Sequence, residues 1–188
     1  MRNLLRSALL LFLLLGGFAL LGPWLKNMLY AMRLAAMAPP AALPVPVRGV
    51  APRGLRDTWH GARSEGRRHE GIDIFARRGT AVTSSTEGVV LRVGTNRLGG
   101  QVVWVLGPGG QRHYYAHLDR YADIEKGQRV RAGTVLGYVG TTGNAAGTPP
   151  HLHYGIYGAA GAINPYPMLT AVGGGMPTHE HERVGGAR

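Results

Sequence analysis

Between residues 53 and 170 the hydrophobic positions fall in short runs separated by glycine-containing turns. The runs EGVVLRV, QVVWVL, RHYYAHL, GTVLGYVG and HLHYGIY are rich in β-branched and aromatic residues, which fit a pleated, half-buried surface. None sustains the three- and four-residue recurrence of an amphipathic helix through three turns. Gly107-Pro108-Gly109-Gly110 separates QVVWVL from RHYYAHL and predicts a hairpin there. The pattern therefore predicts a mainly β fold, a compact antiparallel β-sheet domain over residues 53–170 without an internal repeat.

The chain before this domain reads differently. Arg2 and Arg6 precede an uncharged, leucine-rich run at residues 7–25. A bilayer-spanning helix needs ~20 apolar residues, so residues 1–30 are expected to hold an N-terminal transmembrane helix. The alternative is a cleaved signal peptide, whose apolar core is shorter, roughly 7–15 residues. The best small-x-small triplet, Ala36-Met37-Ala38, lies far downstream and is followed by Pro39, which favours the uncleaved anchor. The amine, Arg2 and Arg6 slightly outweigh Lys26 and Arg33 across the run. That bias predicts a single pass through the inner membrane, with the domain in the periplasm or extracytoplasmic space. Residues 24–37 are expected to continue as a helix near the membrane surface. Residues 31–52 read as a Pro/Ala-rich linker whose APPAALPVPVRG stretch is an extended spacer holding the domain off the membrane. Residues 171–188 read as a disordered Gly-rich tail, with His179 and His181 solvated rather than ligating.

Charge narrows the partner classes. The 188 residues carry a formal net charge of +11, mostly from arginines spread along the chain. No basic helix with interleaved aromatics appears, so nucleic acid is not expected as a partner. An anionic membrane or bacterial wall surface fits better, although an arginine-rich genome would give the same count. The absence of cysteine excludes disulfides and thiolate zinc sites, so any metal must be held by His, Asp or Glu. Oligomeric state is left open.

Five of the eight histidines lie in three strand-type segments. In TPPHLHYGIY, His151 and His153 alternate and should face one side of a strand. In RRHEGIDIF, His69 precedes Asp73 by four residues, about 13 Å on a straight strand. Two ligands of one ion cannot be that far apart, so the chain is expected to bend at Gly71. In RHYYAHLD, alternation predicts that His113, Tyr115 and His117 face one way. Tyr114 and Tyr115 read as packing residues, and His113 as a supporting or surface residue rather than a ligand. Asp119 could orient His117 or only begin the turn toward Arg120.

The succession His69-x-x-x-Asp73, Tyr115-x-His117-Leu118 and His151-x-His153 resembles peptidase family M23, the LytM or lysostaphin-type zinc metallopeptidases of bacterial peptidoglycan. The likeness runs from about Asp57 to Met168 and includes GRRHEGIDIFARRGTAV and KGQRVRAGTVLGYVGTTG. It implies the same compact antiparallel β fold and one Zn2+ per chain. His69, Asp73 and His153 would be the metal ligands, with His117 and His151 as the catalytic histidines. Two imidazoles and one carboxylate would leave a fourth position open for water, the pattern of a catalytic site. The implied function is a zinc metalloendopeptidase hydrolysing peptide cross-links of peptidoglycan, with stem peptides as partners. Bonds between D-alanine and diaminopimelate are the first expectation and glycine bridges the second. The alternative is a non-catalytic LytM-type regulator of wall hydrolases, or a peptidoglycan-binding module; all five key positions are present, which argues against it. The chain departs from the family at Gly155, where many members carry Glu, and at GTPPHLH, where Gly-Pro is commoner. The family's oxyanion-supporting tyrosine ahead of the first motif has no clear match here, and Trp59 and His60 are left unassigned.

Overall fold

The computed structural model describes residues 21–22, 24–63 and 66–171. The expected anchor at residues 7–25 lies almost entirely outside them, as do nearly all of the tail at 171–188 and both of its histidines. No helix among the described residues is long and apolar enough to cross a membrane. Residues 21–22 and 24–36 are helical and form α1.

The domain is an antiparallel sheet, as the patterning predicts. In chain order its strands are β1 (Ile72–Phe75), β2 (Ala81–Thr83), β3 (Gly88–Asn96), β4 (Gly100–Leu106), β5 (Arg112–Tyr121), β6 (Arg129–Val130), β7 (Val135–Val139), β8 (His151–Gly158) and β9 (Gly161–Ile163). A five-residue helix, α2 (Tyr166–Thr170), follows. The main path is β1-β8-β5-β4-β3-β6, with β7 paired to β2 and β5, and β9 paired to β8. The predicted hairpin joins β4 to β5, with Leu106 opposite Arg112 across the Pro108–Gly110 turn.

Strand alternation sorts the side chains onto two faces. One face packs into the main core, where Ile72, Ile74, Tyr115, Leu152, Tyr154 and Ile156 are at most 1% exposed. The other face of β4, β5 and β8 carries Val102, Tyr114 and Ala116 under Trp104 and Tyr157.

The proline-rich segment is not a free spacer. Leu43, Val45 and Val47 are buried in the main core. Val47 bridges Val82, Arg48 N–H donates to Ala81 O at 3.0 Å, and Thr83 N–H donates to Pro46 O at 2.9 Å. The physical reason is the alternation Leu43-Pro44-Val45-Pro46-Val47, which offers one apolar face. Proline lacks an N–H, so it is tolerated in such an edge segment. Full burial of a Leu or Val side chain contributes about 1.5–3 kcal/mol, which holds this segment on the domain.

Candidate active site

In the ladder of β1, β8 and β5, Asp73 stands opposite His153, and His153 opposite Ala116. Directly paired residues share a face with Cβ atoms about 4.5–5.5 Å apart, so a carboxylate on β1 meets an imidazole on β8. His153 Nδ1 lies 3.3 Å from Asp73 Oδ1. His151, two residues earlier on β8, points the same way and stands opposite Phe75.

His69 reaches this face from outside the sheet, because β1 begins only at Ile72. It sits in a small turn where Ala62 bridges Arg68, His60 N–H donates to His69 O, and His69 N–H donates to Gly61 O. Thr58 fastens that turn. Its carbonyl accepts from His69 Nδ1 at 2.7 Å, and its hydroxyl accepts from the Asp73 N–H at 3.0 Å. The chain bends at Gly71, as expected, and does so without a positive φ. A Cβ there would lie 2.6 Å from Tyr154 O and 2.7 Å from His153 Cε1. Thr58 is a residue that the sequence pattern did not single out; neither spacing nor periodicity marks it. Trp59 and His60 stack on each other with ring centroids 4.5 Å apart.

The expectation that His113, Tyr115 and His117 share a face is corrected. His113 and Tyr115 point into the core, where His113 Nδ1 pairs with the Tyr154 hydroxyl at 2.7 Å. His113 is thus a core residue and not a surface one, and it is not part of the group His69, Asp73 and His153. His117 adopts φ +63°, where the pairing of β5 with β4 slips between Gln101 and Val103. This bulge turns His117 onto the cleft side with Tyr114 and Ala116. A left-handed non-glycine residue costs roughly 1–2 kcal/mol. Two hydrogen bonds offset that cost, from His117 N–H to Gly99 O and from Nδ1 to Thr142 O, each 2.8 Å. Thr142, not Asp119, orients the ring; the Asp119 carboxylate is taken by Arg78 and, at 3.8 Å, by Arg120. His151 is held likewise, its Nδ1 donating to Pro149 O at 2.9 Å. The two rings meet edge to face at 5.0 Å. Tyr114, read as a packing residue, lines the cleft, whereas Tyr115 is core.

The donor chemistry fits a metal ion. His69 Nε2 lies 2.8 Å from His153 Nδ1 and 3.1 Å from Asp73 Oδ1. A tetrahedral ion with arms of ~2.0–2.1 Å separates its ligand atoms by roughly 3.3 Å, close to these spacings. A carbonyl only accepts, so His69 donates Nδ1–H to Thr58 and turns Nε2 toward Asp73 and His153. Nε2, the carboxylate and His153 Nδ1 face one another, and a cation would engage all three. Asp73 Oδ2 is taken by the Arg63 guanidinium. Burial alone would raise the Asp73 pKa, but hydrogen bonds with His153 and His69 hold it well below the usual carboxylate range. Burial pushes His153 down, against the pull of Asp73. Burial also pushes His117 down to about 4, opposed by its bond to the Thr142 carbonyl. Both histidines are therefore neutral at pH 7, the form that binds metal or accepts a proton.

Arg63, His69, Asp73, His117, His151 and His153 all line one cleft of about 890 Å3. Trp104, Tyr114 and Tyr157 line it too, and Arg63, Arg67 and Arg68 make one part of it basic. At Gly155 a Cβ would lie 3.0 Å from the Tyr157 ring, so the missing side chain makes room for that aromatic.

The family model described as Peptidase family M23 matches residues 67–165, a span that holds His69, Asp73, His117, His151 and His153. The L-Ala–D-Glu endopeptidase of Bacillus subtilis is 42% identical over 142 residues, covering 69% of this chain and 43% of that protein. The peptidoglycan DD-endopeptidase ShyC of Vibrio cholerae is 35% identical over 86 residues, covering 46% of this chain and 19% of that protein. This chain thus spans less than half the length of either relative. Among solved structures, the catalytic domain of lysostaphin from Staphylococcus simulans superposes with a TM-score of 0.56 at 28% identity. That match covers 64% of this chain and 96% of the lysostaphin domain, so the antiparallel sheet described above is shared with a peptidase. With the family model spanning more than half of its 188 residues, the chain belongs to peptidase family M23.

Proposed function

We propose that the chain is a zinc metalloendopeptidase that hydrolyses peptide cross-links of bacterial peptidoglycan. The observation that carries this reading is the convergence of His69 Nε2, Asp73 Oδ1 and His153 Nδ1, with His117 and His151 beside them in one cleft. His69, Asp73 and His153 would hold one zinc ion. When bound, zinc supplies Lewis acidity to a scissile carbonyl and to a water.

The remaining work belongs to the chain's own side chains. His117 and His151 each donate Nδ1–H to a backbone carbonyl, which leaves Nε2 to exchange a proton in the cleft. His117 is neutral, so it can take a proton and pass one to a leaving amine. The fixed bonds to Thr142 O and Pro149 O keep both rings oriented, so no reorganisation is needed during the transfer. Trp104, Tyr114 and Tyr157 offer flat apolar contact to a peptide, and the arginines suit a stem peptide that carries carboxylates. The reading includes location: a single-pass inner-membrane chain, anchored through residues 7–25, acts on the wall from the periplasmic or extracytoplasmic side.

The test is zinc content per chain together with muropeptide mass spectrometry after digestion of cross-linked and uncross-linked peptidoglycan. His69→Ala, Asp73→Ala and His153→Ala should lose both zinc and product. Zinc without product in the unmodified chain would leave a binding module, and neither would leave a regulator. Product from uncross-linked substrate alone would move the cut from the cross-link into the stem peptide. A periplasm-active reporter fused after Gly49 should be active and sediment with membranes; a soluble, shortened reporter would show a cleaved signal instead.

A further inference from the structure

Helix α1 meets the domain along one side only. Asn27 Nδ2 donates to Gly127 O at 2.9 Å, and Arg129 donates to Asn27 Oδ1 at 3.1 Å and to Lys26 O at 2.7 Å. The Tyr30 hydroxyl donates to Glu87 at 2.9 Å, the Arg129 guanidinium lies 4.4 Å over the Tyr30 ring, and Leu34 is fully buried. The helix is therefore clamped, not swinging from a linker.

Its other side is apolar and bare. Leu21, Trp24, Leu25, Met28, Leu29 and Met32 are 37% to 65% exposed. They recur at the three- and four-residue steps that make one stripe along a helix. Single exposed apolar residues need no explanation, but a contiguous stripe on a helix already docked by its opposite side does.

We propose that, beyond the anchor, Met28, Leu29 and Met32 of this stripe lie in the surface of a lipid bilayer, so that the catalytic domain is docked against the membrane and not suspended above it. The proposal rests on the reading of residues 7–25 as an anchor. Three observations favour lipid over a second copy of the chain. The uncharged run of residues 7–25 supplies Leu21, Trp24 and Leu25 of the stripe and leads directly into the rest of it. Lys26 and Arg33 are exposed, and at about 100° per residue they fall on the edge between the stripe and the clamped side. From there their stems can cover apolar surface while the charges reach anionic headgroups. Trp24 is of the type that settles at a membrane interface.

Docking would fix the height of the cleft. Helix α1 packs beside Glu87 at the start of β3 and Arg129 on β6, whereas Asp73 and His153 sit on β1 and β8 at the far end of the strand order. With strands ~4.8 Å apart, the ligand strands lie roughly 15–25 Å from the strands that α1 touches. A docked domain would then act on wall peptide close to the membrane.

The chain has no cysteine, so single cysteines can carry one environment-sensitive fluorophore each. The full chain is placed in vesicles of phosphatidylethanolamine and phosphatidylglycerol, with a quencher on the acyl chains. Labels at Met28→Cys and Met32→Cys should be quenched as strongly as one at Leu14→Cys, and one at Ala160→Cys, in the exposed turn after β8, should not. Quenching at Leu14 without quenching at Met28 and Met32 overturns docking and leaves the anchor standing. No quenching at Leu14 removes the anchor and the docking with it. Dipolar broadening between spin labels at Met28, unquenched by lipid, would show a second copy on the stripe and also overturn the proposal. Quenching at Ala160 equal to that at Met28 would show a domain with no preferred face.

Discussion

His113 and His117 lie four residues apart on one strand, and the sheet uses them in opposite ways. His113 is fully buried on the core side, with Nδ1 on the Tyr154 hydroxyl and no partner at Nε2. His117 is 7% exposed on the cleft side, with Nδ1 on a backbone carbonyl. Burial pushes both down to about 4, so both are neutral imidazoles. Residue type, strand and protonation state are shared. What separates a packing residue from a candidate catalyst is one left-handed backbone position and the open space it faces. The same division holds across β8, where His151 and His153 face the cleft and Leu152 and Tyr154 fill the core.

The largest effect should come from attacking the core side alone. A chain starting at residue 38 keeps Leu43, Val45 and Val47, and one starting at residue 50 loses them. Removing three buried aliphatic side chains costs about 5 kcal/mol or more, comparable with the whole stability of many domains. The shorter chain should unfold at far lower urea, or not fold at all, although every cleft residue is still present. Equal urea midpoints would show that the segment is a spacer after all. Next in size is the pair within β5. His117→Ala should lower peptidoglycan turnover by roughly 10²–10⁴-fold, the usual scale for a proton-transfer group, while most of the zinc stays bound. His113→Ala should cost less than tenfold in turnover but roughly 2–3 kcal/mol in stability, as a large-to-small core change. If the two variants exchanged phenotypes, the two-sided reading of β5 would be wrong.

Much of this architecture was legible because it depends on local pattern. Period-two alternation identified β8 and put His151 with His153, and Gly-Pro-Gly-Gly marked the β4–β5 turn. Alternation failed at His117 because the bulge is set by distant groups, the Gly99 and Thr142 carbonyls, which no count along β5 can reveal. The role of Thr58 was hidden for the same reason: it acts through contacts to residues 11 and 15 positions away. The segment from Leu43 to Val47 did carry its signal, an alternating apolar face, but the prolines between suggested a solvated spacer. Proline excludes an interior strand, not an edge that lies against a core. The bend at Gly71 follows from the spacing of His69 and Asp73, but the close approach of Tyr154 and His153, which also demands glycine there, is another distant contact.

The smallest predicted effect tests whether the two histidines differ in access alone. Burial lowers the His113 pKa from 6.5 to about 4, so the unfolded chain takes up its proton first as the pH falls. Stability from keeping this ring neutral is complete above about pH 6.5, declines as the pH drops, and is gone below about 4. A difference of that size corresponds to at most on the order of 3 kcal/mol. His117 titrates in the same window for the same reason, and the unmodified chain should show both contributions. His113→Phe keeps an aromatic ring in the core and removes one titration. It also deprives the Tyr154 hydroxyl of its partner, at a roughly pH-independent cost of ~1 kcal/mol. Urea unfolding between pH 4 and 6.5, with a chelator present so that metal release adds no slope, should therefore show a shallower dependence in His113→Phe than in the parent. The pH profile of turnover by the zinc-loaded protein should be unchanged, because the substituted ring never faces the cleft. An unchanged stability slope would mean that His113 is not neutralised by burial. An altered turnover profile would mean that the core side reaches the proton chemistry, and that the two faces of β5 are not separate.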